Sequence, residues 1–149
     1  MPRIARGLAN DQIYHIINRG NRRSVIFHDE YDFTKMLELL FLAKKKYDIN
    51  IYAYCLMNNH YHLVVHTEFA DSLSECMQWL GTSYVRYYNK RYKTSGHLWQ
   101  GRYKSFIVQR DSYLLTLIKY VEYRCQVNTI TFYLEFCLLL LVIDLHILL

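Results

Sequence analysis

Residues 49–67 read INIYAYCLMNNHYHLVVHT, two apolar runs on either side of an Asn-Asn pair. The first run, residues 49–57, is rich in Ile and Tyr, and the second, residues 60–67, contains Leu63-Val64-Val65. β-Branched and aromatic residues favour strands, and Asn58-Asn59 is a turn signal. The stretch therefore predicts a β-hairpin with a tight connection.

The residues before this hairpin predict one strand and one helix. Residues 10–19 alternate loosely between apolar and polar side chains and predict a strand. Asp29 is a candidate N-cap, and the helix that it begins ends in Lys44-Lys45-Lys46, which complements the helix dipole.

The residues after the hairpin predict two further helices with a strand between them. Asp71 or Ser72 caps a helix that runs to about Tyr92, and residues 106–108 form a short strand. Asp111 or Ser112 begins the last helix, which runs through about Tyr123. The order β-α-β-β-α-β-α predicts an α+β fold, a ferredoxin-like split βαβ with an antiparallel sheet and helices packed on one face.

Composition limits the class of protein. The 149 residues fit one ordinary domain, and a content of 52% hydrophobic and 21% charged residues argues against a disordered chain. Lys and Arg outnumber Asp and Glu by 18 to 13, a net charge of +5 that suits a polyanionic partner such as nucleic acid. The four cysteines show no CxxC spacing and no signal peptide precedes them, so we expect reduced thiols in a cytoplasmic protein.

His60 and His62 are the residues most suggestive of chemistry. In a strand, side chains two residues apart project from the same face, so the two imidazoles can share one cation. Two unrelated histidines in a half-buried strand are the alternative. Zinc also stays open, although no other Cys or His has zinc-finger spacing.

Tyr120 and two basic segments are further candidates. A tyrosine phenol can act as a covalent nucleophile, but Tyr120 is one of 15 tyrosines, and core packing is the alternative. Basic side chains interleaved with aromatics suit a groove that binds single-stranded DNA, with Trp99 or Tyr103 stacking on bases; a solvated surface is the alternative. The candidate DNA-binding residues are Arg19, Arg22, Arg23, Trp99, Arg102, Tyr103 and Lys104.

Several blocks together resemble one family. Residues 58–65, Asn-Asn-His-Tyr-His-Leu-Val-Val, resemble the HUH signature of single-tyrosine transposases. Residues 97–105, His-Leu-Trp-Gln-Gly-Arg-Tyr-Lys-Ser, resemble a second block of the REP-associated tyrosine transposase branch. Residues 120–123 lie where that branch has its catalytic helix, and the resemblance covers about residues 5–123.

The resemblance implies a ferredoxin-like core that acts on single-stranded DNA beside hairpins. His60 and His62 are then expected to bind Mg²⁺ or Mn²⁺, which polarises the scissile phosphate. Tyr120 is expected to attack phosphorus, forming a 5′-phosphotyrosine link and releasing a 3′-OH. Relatives work as dimers or as monomers, so a homodimer stays open.

The resemblance breaks after Tyr123. The family pattern has Asn or Gln four residues after the catalytic Tyr, as a third metal ligand, and this chain has Arg124. A cation there repels a metal. We therefore expect a transposase-like domain over residues 1–124, and over residues 125–149 an atypical hydrophobic tail that results from a frameshift or truncation.

The tail also bears on membrane attachment. A membrane helix needs about 20 apolar residues, and residues 130–149 reach that length only by including Glu135, Asp144 and His146. A buried helix or an aberrant tail is favoured, and a membrane partner is not expected.

Four hypotheses follow from the sequence. The favoured one is a metal-dependent, single-stranded DNA transposase. The second is a catalytically degenerate remnant of that family that still binds DNA. The others are an unrelated metal- or RNA-binding module and a membrane-attached protein.

Overall fold

A computed structural model describes residues 7–110 and 112–128, with the side chains of residues 122 and 124–128 left out. The strands are β1 (Gln12–Arg19), β2 (Ile49–Met57), β3 (His60–Thr67) and β4 (Lys104–Val108), and the helices are α1 (Glu30–Tyr47), α2 (Ala70–Tyr92) and α3 (Ser112–Asn128). A short 3-10 helix, Asn21–Arg23, follows β1. The four strands form one antiparallel sheet in the order β2-β3-β1-β4, which confirms the predicted ferredoxin-like α+β fold.

The larger core lies between one face of the sheet and helices α1 and α2. Alternate residues of the central strands point into it, as the period of two of a strand requires. Those from β1 and β3 are Tyr14, Ile16, Tyr61, Leu63 and Val65, all at most 1% exposed.

Helix α3 packs on the opposite face, which corrects the prediction that the helices share one face. The run Leu63-Val64-Val65 makes β3 apolar on both sides, so the sheet needs cover on both faces. The second core consists of Ile13, Ala53, Cys55, Val64 and Val108 from the sheet and Leu117 and Val121 from α3.

The helix caps were only partly predictable. Asp29 caps α1 as expected, because its side chain accepts a hydrogen bond from the Asp32 amide. The predicted caps Asp71 and Ser72 are wrong, since α2 begins at Ala70. The Ala70 amide instead donates to Asn10 Oδ1 at 2.9 Å, so a residue 60 positions away in the chain caps this helix.

The described part of the chain contains no helix that is both long and apolar enough to cross a membrane. Helix α3 spans Ser112–Asn128, a range that includes the predicted domain limit at residue 124. The greater part of the predicted tail, residues 129–149, lies outside the described residues.

Candidate active site

The two histidines of the HxH pattern project from the same face of β3. Both are half-buried, and their ring centroids lie 5.1 Å apart with the planes nearly perpendicular. Tyr61 between them points the other way and is fully buried under α1 and α2. The strand therefore holds the two imidazoles next to each other. We call this side of the sheet the histidine face.

The turn before β3 fixes the orientation of His60. Asn59 Oδ1 lies 2.7 Å from His60 Nδ1, and Asn59 Nδ2 donates to the Arg23 carbonyl at 3.4 Å. Because an amide oxygen only accepts, Nδ1 of His60 carries a proton, and in the neutral ring the lone pair then lies on Nε2. This is the tautomer that a metal ligand needs when it binds through Nε2.

A third histidine, His15 of β1, contacts His62. Its Nε2 lies 3.0 Å from His62 Nδ1, and the two ring planes are 19° from parallel with centroids 5.2 Å apart. Burial lowers the pKa of His15 below its usual value, which favours the neutral imidazole. When His62 donates in this contact, its lone pair lies on Nε2, as in His60.

Sequence reasoning missed His15. The available signal was its position between Ile13 and Ile17, where strand alternation places a polar side chain on an apolar face. Only the register, which pairs Ile17 with His62, shows that His15 lies beside the HxH pair.

Helix α3, which carries Tyr120, packs on the histidine face. Leu117 and Val121 anchor the helix in the second core, which includes Cys55, the residue directly across from His62 in the β2–β3 ladder. Tyr120 itself is 45% exposed although its helix is anchored. The candidate nucleophile and the histidine pair thus share one side of the sheet.

Two of the predicted DNA-binding residues lie on this same face. Arg19 pairs with His60 across the β1–β3 ladder, and Lys104 pairs with Ile17 across the β1–β4 ladder. Directly paired residues share a face, and both cations are exposed.

The remaining predicted cations lie in two loops that the backbone joins. The Asn21 amide donates to the Leu98 carbonyl at 2.8 Å, and the Gln100 amide donates to the Arg19 carbonyl at 2.9 Å. The Gly20 amide donates to the Asn59 carbonyl at 2.9 Å, which ties both loops to the turn before His60. Arg22, Arg23 and Arg102 are exposed on these loops.

The two aromatics of the second block pack into the protein. Tyr103 is 9% exposed in the larger core. Trp99 packs edge-on against Tyr61 and donates from Nε1 to the Gly81 carbonyl at 3.2 Å. These contacts give both residues a packing role and do not support the base stacking expected of them.

The donor set fits a divalent cation only in part. His60 and His62 offer two neighbouring ring nitrogens, the donor type that suits several divalent transition metals. Within the described residues, however, no group of three His, Cys, Asp or Glu side chains is arranged to hold a metal ion. The pair therefore needs further oxygen ligands to complete a coordination sphere.

Comparison with known proteins gives a consistent result. A family model described as "Transposase IS200 like" matches residues 9–124. A search of curated proteins gave no match.

Solved structures that are similar to this chain include two that are described as transposases. One is a REP-associated tyrosine transposase bound to a REP hairpin, with a TM-score of 0.64 and 15% identity over 81% of this chain and 70% of that chain. The other is a protein described as a transposase from Deinococcus radiodurans R1, with a TM-score of 0.56 and 18% identity over 83% of this chain and 98% of that one. At these identities the likeness shows a shared fold.

Proposed function

Because the chain belongs to the family of IS200-like transposases, we propose that it binds single-stranded DNA beside a hairpin and cleaves it with Tyr120 as the nucleophile. The observation that carries the proposal is the packing of α3 on the histidine face. Nothing in the HxH pattern itself requires a tyrosine helix there. An unrelated metal-binding module predicts no tyrosine near the histidine pair in space.

The proposed reaction is a transesterification. The Tyr120 phenol loses its proton to solvent, and its oxygen forms a bond to the scissile phosphorus. The bond from phosphorus to the 3′ oxygen breaks, and that oxygen takes up a proton to leave as a 3′-OH. The 5′-phosphotyrosine link conserves the phosphodiester bond energy for later rejoining.

His60 and His62 are proposed to hold Mg²⁺ or Mn²⁺, which when bound offsets negative charge at the phosphate. Asn59 supports this role because it holds His60 in the tautomer with the lone pair on Nε2. Family members are metal-dependent in general, and the donor pair here fits an ion that also binds phosphate and water oxygens.

The basic residues are proposed to bind the DNA backbone. Arg19 and Lys104 lie on the histidine face, and the two joined loops present further cations beside the turn that precedes His60. Phosphate contacts fix position without reading sequence. We propose that hairpin shape supplies part of the specificity, in line with the hairpin-bound structure that shares this fold.

A second candidate is a protein that binds DNA without cutting it. Arg124 occupies the position of the family's third metal ligand, and no three-residue His, Cys, Asp or Glu site was found among the described side chains. Loss of a ligand weakens cleavage more than it weakens phosphate binding, which depends on separate cations.

The test is covalent adduct formation with labelled single-stranded hairpin oligonucleotides, in Mn²⁺ or in EDTA, on a denaturing gel. We expect an adduct in Mn²⁺ that disappears in EDTA and in Tyr120→Phe. Tyr123→Phe is the control, because Tyr123 is on the same helix and 66% exposed. Binding without any adduct would establish the second candidate, and neither binding nor adduct would refute both.

A further inference from the structure

Phe106 is a large apolar side chain that is buried in neither of the two cores. It lies on the edge strand β4, is 53% exposed and is absent from both hydrophobic clusters. Val108, two residues further and on the same face, is buried in the second core at 3% exposure. Phe106 therefore lies where the cover provided by α3 ends.

The register places Phe106 beside the histidines. It pairs directly with His15 across the β1–β4 ladder, and the two ring centroids are 6.4 Å apart. His15 in turn contacts His62 through their ring nitrogens. A row of three rings, Phe106, His15 and His62, therefore crosses the histidine face from the sheet edge toward the candidate metal pair.

Charge argues for the kind of partner that covers Phe106. Lys104 lies two residues earlier on the same face of β4 and is exposed, about 7 Å away along the strand. Arg19 lies on the same face beside His60. Both cations lie toward the same end of the strands from Phe106, with Lys104 nearer and Arg19 further. An exposed ring beside cations is suited to a polyanion that also presents flat apolar surfaces, and unpaired DNA does so.

We propose that Phe106 is the stacking platform for an unpaired nucleobase adjacent to the scissile phosphate. The inference rests on the proposed function for the identity of the bound strand, and it does not require cleavage. It also assigns the stacking role to an exposed aromatic, whereas Tyr103 is buried in the larger core and Trp99 is half-buried against that core.

Ile107 offers a matched control. It is the next residue of the same edge strand, it is also 53% exposed, and strand alternation points it away from the histidine face. Loss of apolar surface from the strand is similar in Phe106→Ala and Ile107→Ala. Only the first removes a ring beside the histidines.

The experiment uses the full chain in EDTA, so that binding is measured without cleavage. Hairpin oligonucleotides with 2-aminopurine at single unpaired positions report stacking by fluorescence quenching, and anisotropy reports affinity. We expect Phe106→Ala to weaken binding about 5- to 150-fold, the equivalent of one stacked base, and to relieve quenching at one position. Phe106→Trp retains both signals, and Ile107→Ala retains wild-type behaviour.

Other outcomes overturn the proposal in separate ways. Equal losses in Phe106→Ala and Ile107→Ala, or no loss in either, would refute stacking while the proposed function stands. Failure of the wild-type chain to bind single-stranded DNA would refute both. A change of oligomeric state in Phe106→Ala, seen by size-exclusion chromatography, would assign the exposed edge to a second copy of the chain. Phe106→Leu keeps most of the apolar volume but has no ring, so it serves as the test if Phe106→Ala folds poorly. The proposal requires that the 2-aminopurine quenching is lost in Phe106→Leu, and quenching that persists there would refute it.

Discussion

At the scale of single residues, the site depends on hydrogen bonds that select imidazole tautomers. Asn59 determines the tautomer of His60, and His15 is placed to do the same for His62. Partners of this kind orient metal ligands, and their removal lowers metal affinity. The two histidines of the sequence motif are therefore only part of the arrangement.

The role of His15 can be tested with metal binding alone. His15→Phe keeps a ring against His62 and removes the nitrogen that contacts it, so Mn²⁺ affinity should fall about 10- to 100-fold. The readout is titration of the DNA-free protein with Mn²⁺ by electron paramagnetic resonance. His66→Gln is the control, since His66 lies on β3 but bonds to Asp11. Equal affinity in wild type and His15→Phe would contradict this role.

Gly20 is a second residue whose identity the structure requires. A Cβ there would lie 2.4 Å from the Ser24 carbonyl oxygen and 2.7 Å from Ile26 Cγ2. Gly20→Ala should lower the free energy of unfolding by about 1–3 kcal/mol, the usual range for overpacking. Urea denaturation measures it, with Gly101→Ala as the control because nothing lies within 4 Å of a Cβ at Gly101. Equal stability of the two variants would argue against the close approach.

At the scale of elements, helices α1 and α2 are joined by a buried carboxylate. Asp32 is fully buried and accepts hydrogen bonds from the His28 amide, Tyr87 Oη and Tyr92 Oη. It also pairs with Arg91 near the end of α2. Arg91 holds the pKa of its other partner, Asp29, below the usual value.

Asp32→Asn should destabilise the chain by about 3 kcal/mol, because a buried amide nitrogen cannot accept the hydrogen bonds that the carboxylate accepts and Arg91 keeps only Asp29 as an acidic partner. Arg91 is 28% exposed at its side chain, which keeps the loss at the low end of the expected range. Thermal or urea unfolding measures the change. Glu38→Gln, which breaks the exposed pair with Lys35, should change stability by at most about 0.5 kcal/mol. Equal effects would contradict the network.

Element types and their order were predictable from the sequence, whereas contacts between distant segments were not. The hairpin limits follow from local residue patterns, and strand alternation alone places His60 and His62 together. The capping of α2 by Asn10 and the contact of His15 with His62 depend on tertiary approach, which local patterns do not encode.

The prediction that Trp99 or Tyr103 stacks on bases was limited in the same way, because it rested on a local sequence pattern. The strand predicted at 106–108 begins at Lys104, and the basic, aromatic pattern around Trp99 did not reveal which rings face inward. The segment from Leu98 to Tyr103 packs against the protein because its backbone bonds to β1 and the adjoining loop. Exposure of Phe106 then follows from its place on an edge strand beyond the cover of α3.

At the scale of the whole molecule, the two faces of the sheet differ in what they carry. One face holds the larger core under α1 and α2, and the histidine face carries α3, the candidate site and exposed cations. The net charge of +5 supports attraction of a polyanion to the chain as a whole. Position on the histidine face then determines which cations contribute to binding.

Salt dependence of DNA binding tests this division. Lys104→Ala should reduce the slope of log affinity against log salt concentration by about 0.7, as expected for one phosphate contact on a single strand. Lys45→Ala makes the same charge change on α1, which covers the other face of the sheet, and should leave the slope unchanged. Fluorescence anisotropy over a salt series gives the slopes. Equal slopes for the two variants would indicate binding by overall charge.

The central claim is that Tyr120 forms the bond to DNA, and peptide mapping of the covalent adduct tests it most directly. Trypsin cuts after Lys119 and Arg124, so one peptide, residues 120–124, contains both Tyr120 and Tyr123. We predict that fragmentation by tandem mass spectrometry will place the phosphodeoxynucleotide on Tyr120. A nucleotide on Tyr123, on another residue, or on no peptide in a sample where the DNA has been cut would contradict the account.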